Sequence, residues 1–329
     1  MFDVPILYIV YNRPLETSDS FDVLRDLKPT RLYISADGPN SNKPLDAQNT
    51  GKVRELVMDV DWACEVSTQF SQENLGCRKG VEKALHWFFQ NESEGIILED
   101  DIIPNAAFFE YCRAMLTRYR DDERIFSING CSVGYQNEKV AHGLTRYFNM
   151  WGWATWRRSY QLVAPTWSEY DPTVSLSKDP AIKSALRLPV LAHENATWLA
   201  HWEKQFRDTY GGVIDTWDFQ WFYTSLKNNK YAIRPSDNYV MNIGFGEAAT
   251  HHKFTESPIR NLRYTADTYR ASNTSPVKVD YNYEIFNVGN LIHSLHLKTW
   301  KDVLAGLVPA QVKSLIKSNS KLKQVWQAK

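Results

Sequence analysis

The chain has 329 residues, of which 38 are Lys or Arg and 38 are Asp or Glu, so its formal net charge is zero, and 43% of its residues are hydrophobic. This is the composition of a globular protein with one large domain or two smaller ones. A neutral chain has no long-range attraction for a polyanion, which argues against nucleic acid as a partner.

The sequence also lacks the signals of a membrane or secreted protein. No stretch reaches the roughly 18 apolar residues of a membrane span, and the first residues, MFDVPILYIVYNRP, do not have the basic-then-apolar layout of a signal peptide. We therefore expect a cytoplasmic location. Cys64, Cys77, Cys112 and Cys131 have no CxxC spacing. They predict small buried side chains in a reducing compartment rather than a zinc knuckle or a disulfide framework.

Short apolar segments recur through the first 133 residues and end at Asn, Asp, Gly or Pro, which predicts β-strands. In chain order they are PILYIVYN, RLYISADG, CEVSTQFS, GIILEDD and RIFSINGCSV. The segments between them have apolar residues at helical spacing. These are LETSDSFDVLRDLK, AQNTGKVRELVMDV, GCRKGVEKALHWFFQN and AAFFEYCRAMLTRYRDD. The alternation predicts an α/β fold with a mostly parallel sheet and helices on both faces.

After residue 135 the chain becomes aromatic and less regular. YFNMWGWATWRRSY is punctuated by glycine, and residues 165–195 are rich in Pro and Ser and are expected to be irregular. TWLAHWEKQFRDTY and DFQWFYTSLKNN predict helices, and YAIRPSDNYVMNIG predicts a strand pair. We place a boundary near residue 135, which separates 1–135 from 136–290, and a helical tail at 291–329.

Two biased segments stand out within this second part of the chain. Eight of the twelve tryptophans lie between residues 151 and 221. We expect most of these tryptophans to pack in the hydrophobic core. Indole rings can also stack on the C–H face of sugars. In the tail, seven lysines alternate with apolar residues and face one acid, Asp302. This pattern fits either a peripheral contact with anionic lipid or a solvated helix.

Polar side chains follow the predicted strands, at the edge where sheets of this class bind ligands. The first strand ends in Asn12 and Arg13, the second ends in Asp37, and the third leads to Asn74. We expect these residues to contribute to a nucleotide site. Each of these segments also has the composition of an ordinary turn, which is the alternative interpretation.

The most informative stretch is GIILEDD, an apolar strand that ends in Glu99, Asp100 and Asp101. Three adjacent carboxylates are costly at a ligand-binding edge unless they share a cation. Mg²⁺ and Mn²⁺ prefer such oxygen ligands and commonly complete their shell with phosphate oxygens and water. GxGxxG and GxxxxGK[ST] are both missing, so a dinucleotide fold and a P-loop are disfavoured. We therefore expect a metal, with Arg13 and Arg78, to hold a nucleoside diphosphate.

Several motifs together resemble the metal-dependent GT-A glycosyltransferases, and among them the N-acetylglucosaminyltransferase I family and its bacterial relatives. The motifs occur in order over roughly residues 4–252. They are PILYIVYNRP, SADG, ENLGCRKGVEKAL, GIILEDDIIPNAAFFEY and TWDFQWFYTSLKNNKYAIRPSDNYVMNIGFGEAATHH. The resemblance implies a GT-A, Rossmann-like fold, with the nucleotide sugar bound by 1–135 and with the acceptor and the catalytic base in 136–290.

The resemblance also implies roles for single residues. Asp101 would ligate Mn²⁺, Asp100 would face the ribose and Glu99 would hydrogen-bond the donor sugar. Asp37 would read the nucleoside, and Arg13 would hold the nucleotide or its phosphates. Arg78 would lie near the donor pocket.

Asp218 matches the general base of the family. Inverting transfer needs only one base, and a carboxylate in reach of the acceptor hydroxyl contributes about 10²- to 10⁴-fold. Trp217 and Trp221 flank Asp218 and are expected to exclude water or to stack on the acceptor. The chain departs from the Trp-Asp-Asp-Trp pattern of the family, since two residues separate Asp218 from Trp221, and Asp215 competes for the role. A helix cap is the alternative for Asp218.

His251 and His252 end a glycine-containing segment that begins at Gly244. Such a loop can close over a bound donor. We expect one histidine, taken as His251, to reach the diphosphate or the metal. A histidine without that role is the alternative.

These observations predict a metal-dependent inverting glycosyltransferase that uses Mn²⁺ or Mg²⁺ and a UDP-linked sugar. Its acceptor is expected to be a glycan or lipid-linked glycan of bacterial surface polysaccharide or lipopolysaccharide, and the tail is expected to contact the inner membrane. One alternative is a nucleotidyltransferase that makes the sugar nucleotide, although its glycine-rich, lysine-bearing first loop is missing. A non-catalytic carbohydrate-binding protein is the other, although sugar stacking alone gives no reason to gather three carboxylates.

Overall fold

The computed structural model describes residues 1–135, 142–188, 192–245, 262–269 and 278–294. The strands in this part of the chain are β1 (Ile6–Val10), β2 (Arg31–Ala36), β3 (Glu65–Phe70), β4 (Glu94–Glu99), β5 (Ile102–Pro104), β6 (Ile125–Asn129), β7 (His142–Thr145), β8 (Trp153–Trp156), β9 (Tyr231–Pro235) and β10 (Val240–Asn242). The helices are α1 (Pro14–Leu27), α2 (Asp46–Met58), α3 (Gly76–Asn91), α4 (Ala106–Arg118), α5 (Arg157–Ser168), α6 (Pro180–Ala185), α7 (Ala192–Tyr210), α8 (Asp218–Lys227) and α9 (Tyr281–Ser294).

Eight strands form one sheet in the order β3-β2-β1-β4-β8-β6-β9-β7. The first four of these run parallel, and β6 and β9 are also parallel to each other. The antiparallel pairings are those of β8 with both its neighbours and of β7 with β9. This mostly parallel sheet flanked by helices confirms the predicted α/β fold class. It contains strands from both sides of residue 135, and the functional division at that residue stays a prediction.

The predicted elements of the first 133 residues are all present. Most of the strands are short buried apolar runs, whereas the edge strand β3 has the polar sequence EVSTQF and is partly exposed. The helix predicted over GCRKGVEKALHWFFQN coincides with α3. Its apolar stripe of Val81, Leu85, Phe88 and Phe89 is buried against the sheet. Helical spacing thus identified the face that packs on the strands.

The strand pair predicted over YAIRPSDNYVMNIG is wrong as a pairing. β9 lies between β6 and β7 in the large sheet, whereas β10 pairs antiparallel with β5 in a second sheet of two strands. The aromatic segment before residue 165 also contains β8, which lies between β4 and β6 and is followed at once by α5. Residues 165–195, expected to be irregular, contain α6 and a 3-10 turn at Leu176–Lys178.

The tryptophans mostly build the core, as expected. Trp153, Trp156, Trp217 and Trp221 are each less than 5% exposed and pack against the sheet. Trp198 belongs to a separate apolar cluster formed by α6, α7 and α8. Of the cysteines, Cys112 and Cys131 are buried as predicted, whereas Cys64 and Cys77 are half-buried, and all four are free thiols. No described helix is long and apolar enough to cross a membrane.

Buried ion pairs join α9 to the sheet. Arg146, which follows β7, donates to Glu284 from its backbone amide at 2.7 Å and from Nη1 at 3.2 Å. Arg234 on β9 is fully buried and pairs with Asp280. Because breaking such a buried pair leaves an uncompensated charge, these contacts hold α9 in one position against β7 and β9.

Candidate active site

The ends of the first, second and fourth strands lie side by side because of the sheet register. Val10 is paired with Ala36, and Ile9 is paired with Glu99. The residues that follow these strands, among them Asp37 and Asp100, therefore project from one edge of the sheet. This is the edge at which open α/β sheets bind ligands.

Arg13 bridges the two aspartates of the acidic triplet. Its Nη1 lies 2.7 Å from Asp101 Oδ2 and 3.5 Å from Asp100 Oδ1. Asp100 Oδ2 also accepts the backbone N–H of Tyr11 at 3.2 Å. Arg13 occupies the turn between β1 and α1, whose first residue is Pro14. Proline is preorganised for the first position of a helix, so the chain turns there and holds Arg13 at the sheet edge.

Burial and neighbouring carboxylates raise the pKa values of Glu99 and Asp100. Desolvation raises the pKa of Glu99 well above its usual range, and the charges of Asp101, Asp100 and Asp218 add to this effect. Desolvation, with the charge of Asp101, raises the pKa of Asp100 to about 7, although Arg13 and the Tyr11 amide oppose the shift. The arginine thus offsets only part of the repulsion, and a further positive charge would stabilise this cluster.

Asp101 is suited to act as a single protein ligand to a divalent cation. Its side chain retains 18% exposure and lines a cavity. In the described residues, no three His, Cys, Asp or Glu side chains converge as a metal-ligand group. A cation here would therefore take fewer than three ligands from these described side chains and its remaining oxygens from phosphate and water, a pattern that suits Mg²⁺ and Mn²⁺. The residues fit a substrate-completed metal site and not a closed protein cage.

Asp37 holds the turn that precedes α3. Its Oδ1 accepts the backbone N–H groups of Gly38 at 2.8 Å and Leu75 at 2.9 Å, and its Oδ2 accepts Asn74 Nδ2 at 2.9 Å and the amide of Gly76 at 3.2 Å. A carboxylate with this many donors is fixed in position. Asp37 and Asn74 line the cavity together, as the sequence predicted of two residues on one edge.

Asn12 and Arg78 lie outside the cavity wall. The side-chain amide of Asn12 donates to Asp46, which also accepts the hydroxyl of Tyr11 at 2.7 Å. Asn12 therefore positions Asp46 and Tyr11. Arg78 lies in the first turn of α3, and its charge acts on Glu82. Arg78 lies between Cys77 and Gly80, which line the cavity, and the predicted donor contacts of Asn12 and Arg78 stay predictions.

The two candidate bases have different surroundings. Asp215 accepts the backbone N–H groups of Cys77 at 3.1 Å and Arg78 at 3.3 Å, and so it caps α3. Gly76 permits this approach, because it has a φ of +81° and a β-carbon there would lie 2.8 Å from Asp215 Oδ2. Asp218 is the first residue of α8 and accepts the hydroxyl of Thr216. Both carboxylates accept hydrogen bonds at a helix start, Asp215 from backbone amides and Asp218 from a hydroxyl, and the choice of Asp218 as the base stays a prediction.

Most of these groups line one cavity of about 830 Å³. The predicted site residues on its wall are Arg13, Asp37, Asn74, Glu99, Asp100, Asp101 and Asp218. Trp217 also lines it and stacks on Trp153 at a centroid distance of 5.7 Å. Trp221 is 2% exposed and belongs to the core. The expected contact of Trp221 with an acceptor is therefore wrong.

Gly244 closes one side of the acidic triplet. The backbone N–H of Ile243 donates to the carbonyl of Asp101 at 2.9 Å. A β-carbon at Gly244 would overlap Asp101 Oδ2, so a larger residue here would displace that carboxylate. His251 and His252 lie outside the described residues, as does most of the basic tail, and their predicted roles stay predictions.

Several residues of the cavity have no clear signal in the sequence. Tyr11 and Lys43 line it beside the triplet, with Lys43 Nζ 5.8 Å from the centre of the Tyr11 ring. The opposite wall comes from α7 and α9. The helical period of α7 already placed Trp198 and Trp202 on one face, but no local signal indicated that α9 would reach the site.

Comparisons with known proteins show no close relative. No family model and no curated protein matches the chain. Among solved structures, HddC from Yersinia pseudotuberculosis has 12% identity and a TM-score of 0.30 over 48% of this chain and 78% of its own. Mouse xyloside xylosyltransferase 1, in its apo form, has 10% identity and a TM-score of 0.32 over 68% of this chain and 81% of its own. At these scores the likenesses carry no conclusion about activity.

Proposed function

We propose that this chain is a metal-dependent inverting glycosyltransferase that moves a sugar from a UDP-linked donor to a hydroxyl of a growing glycan. The observation that carries the proposal is the convergence of two groups on one cavity. Arg13 and the acidic triplet lie at the strand ends, and Asp218 reaches the same cavity from α8. The charge of Asp218 raises the pKa of Glu99, so the two groups are within electrostatic range.

The strand-end residues would bind the donor. Arg13 offers a guanidinium, which can hydrogen-bond phosphate oxygens. Asp101 and the diphosphate would ligate Mn²⁺ or Mg²⁺, which would neutralise charge on the leaving group. Asp100 and Glu99 would accept hydrogen bonds from hydroxyls of the ribose and the donor sugar. The predicted contact of Asp37 with the nucleoside belongs to the same half of the cavity.

Asp218 would act on the acceptor. It takes the proton of the attacking hydroxyl while that oxygen forms a bond to the anomeric carbon. The bond from the anomeric carbon to the diphosphate breaks, and its electron pair leaves with the diphosphate. A single displacement of this kind inverts the anomeric configuration and needs one base. We assign that role to Asp218, because backbone amides bind the carboxylate of Asp215.

The biological setting is part of the proposal. We place the acceptor among glycans or lipid-linked glycans of bacterial surface polysaccharide or lipopolysaccharide, with a cytoplasmic location. The lysine-rich segment from residue 291 supports a peripheral contact with the inner membrane, because lysine attracts anionic lipid.

Calorimetry of UDP binding with and without Mn²⁺ tests the proposal. We expect Mn²⁺ to strengthen UDP binding, and we expect Asp101→Asn to remove that gain. Asp22→Asn, which changes an exposed carboxylate on α1, is the matched control and should behave like the wild type. Equal UDP binding by Asp101→Asn and wild type in Mn²⁺ would contradict the proposed metal site.

A screen of nucleotide sugars for Mn²⁺-dependent hydrolysis then identifies the donor. Release of pyrophosphate from a nucleoside triphosphate would instead indicate a nucleotidyltransferase. A chain that binds free sugars but no nucleotide would be a carbohydrate-binding protein.

A further inference from the structure

One wall of the cavity consists of aromatic and amide side chains from two helices. Helix α7 contributes residues at the spacing i, i+3, i+4 and i+7, which places them on one face, and α9 contributes two residues at i and i+3. The residues of this wall are Trp198, His201, Trp202, Gln205, Asn287 and Asn290. We call them the α7–α9 wall.

The rings of this wall are held in fixed positions. Trp198 donates from Nε1 to the hydroxyl of Tyr147 at 3.0 Å. The ring of His201 stacks on Trp198, with a centroid distance of 5.5 Å and an interplanar angle of 13°. Trp202 meets Trp198 edge to face at 5.5 Å and also packs on Phe222. These contacts make the wall preorganised, so little freedom is lost when a ligand binds there.

The wall carries no charged side chain. The charged residues that line the described cavity all belong to other segments, namely the strand ends, the 37–43 segment and the pair Asp215 and Asp218. Burial lowers the pKa of His201 to about 4, and the charge of Lys204 acts in the same direction. His201 is therefore uncharged near neutral pH. The α7–α9 wall thus has no charged side chain that could pair with an anionic or a cationic ligand.

Asp218 lies at the border between the two parts of the cavity. The next residue, Phe219, packs edge to face on Trp202 at 5.5 Å. On the other side, the charge of Asp218 reaches Glu99 of the acidic triplet. A molecule seated on the α7–α9 wall would thus have a hydroxyl near the proposed base.

We infer that the α7–α9 wall is the acceptor subsite and that it binds an uncharged sugar residue. This inference rests on the proposed function. The half-buried ring of His201, which stacks on the buried Trp198, would contact the C–H groups of the sugar. The amides of Gln205, Asn287 and Asn290 would bond its hydroxyls, since an amide both donates and accepts. A uronic acid or a sugar phosphate would lose its hydration without gaining an opposite charge.

Saturation-transfer NMR on the full chain tests the inference. The probes are methyl glycosides of glucose, galactose and N-acetylglucosamine, each compared with a uronic acid or a 6-phosphate of matching ring. We expect binding of at least one neutral glycoside and none of the charged sugars. His201→Ala and Gln205→Ala should each weaken neutral binding by roughly fivefold or more, which corresponds to the loss of about one contact.

Arg207→Ala on the exposed face of α7 is the matched control and should bind like the wild type. Thermal unfolding of each variant identifies a loss of fold, and Gln205→Glu, which keeps the side-chain shape, repeats the test with an added charge. Preferred binding of charged sugars, or neutral binding unchanged in both alanine variants, would overturn the inference. Calorimetry with UDP and Mn²⁺ separates the two proposals: if UDP binds and neutral glycosides do not, only the acceptor subsite is wrong.

Discussion

Arg13 Nη1 lies 2.7 Å from Asp101 Oδ2, so the proposed metal ligand is already paired with the one arginine that lines the described cavity. The arginine and a divalent cation would share the charge of the triplet and would not exclude each other. A carboxylate has about four lone-pair sites, and Arg13 uses one of those on Oδ2. The pair therefore allows predictions about both stability and nucleotide binding.

Replacing Arg13 by alanine should destabilise the fold and weaken UDP binding. The change leaves Asp100 and Asp101 without their positive partner, and we expect a loss of about 1–3 kcal/mol in the free energy of unfolding. Mn²⁺ should restore part of this stability, because it replaces the missing charge. Chemical denaturation with and without Mn²⁺ measures both effects. If Arg13→Ala lost the same free energy of unfolding at all Mn²⁺ concentrations, the cation would not replace the charge of Arg13, and the prediction would be wrong.

The pKa of about 7 at Asp100 predicts how stability depends on pH without a divalent cation. In the unfolded chain this group loses its proton near pH 4, so between pH 4 and 7 the folded protein holds more protons. Stability should therefore fall as pH rises through this window, by up to about 4 kcal/mol. Asp100→Asn should flatten the decline, and saturating Mn²⁺ should reduce it. Denaturation midpoints at pH 5, 6, 7 and 8 test this dependence.

Asp218 and Asp215 should respond differently to the same substitution. Asp218→Asn should lower kcat by about 10²- to 10⁴-fold and leave UDP binding unchanged, because it removes the base and not the donor site. Asp215→Asn should lower the free energy of unfolding by about 1 kcal/mol, because it weakens the cap at the start of α3. Its effect on kcat should be small. Transfer kinetics and thermal unfolding of the two variants distinguish these effects. The opposite result would assign the base to Asp215.

Gly244→Ala should impair the metal site and spare the fold. The new β-carbon would displace the Asp101 carboxylate, so the gain in UDP affinity from Mn²⁺ should shrink while stability changes little. Gly51→Ala is the control, because a β-carbon at Gly51 meets nothing within 4 Å. In the middle of α2 it should stabilise the protein by about 0.5–1 kcal/mol. Calorimetry measures the Mn²⁺ dependence of UDP affinity, and thermal unfolding measures stability. If Gly244→Ala kept the Mn²⁺ dependence of the wild type, the proposed effect of residue 244 on Asp101 would be wrong.

The sequence alone determined the fold class and the grouping of the strand-end residues that line one part of the cavity. Alternating strands and helices predict a parallel sheet, and in such a sheet the residues after each strand meet at one edge. For this reason Arg13, Asp37 and the acidic triplet were predicted to lie together without any knowledge of their contacts. The apolar pattern of the strands and the rule that parallel strands end at one sheet edge are enough to predict such a grouping when the neighbouring strands are close in the sequence.

Only the tertiary structure decided the other half. β8 enters the sheet antiparallel between β4 and β6, β9 and β10 belong to different sheets, and α9 reaches the cavity from residues far along the chain. The assignment of Asp215 to the start of α3 likewise depends on a contact across 138 residues. Such pairings depend on which surfaces bury one another after the chain has folded, and no local period or spacing encodes them.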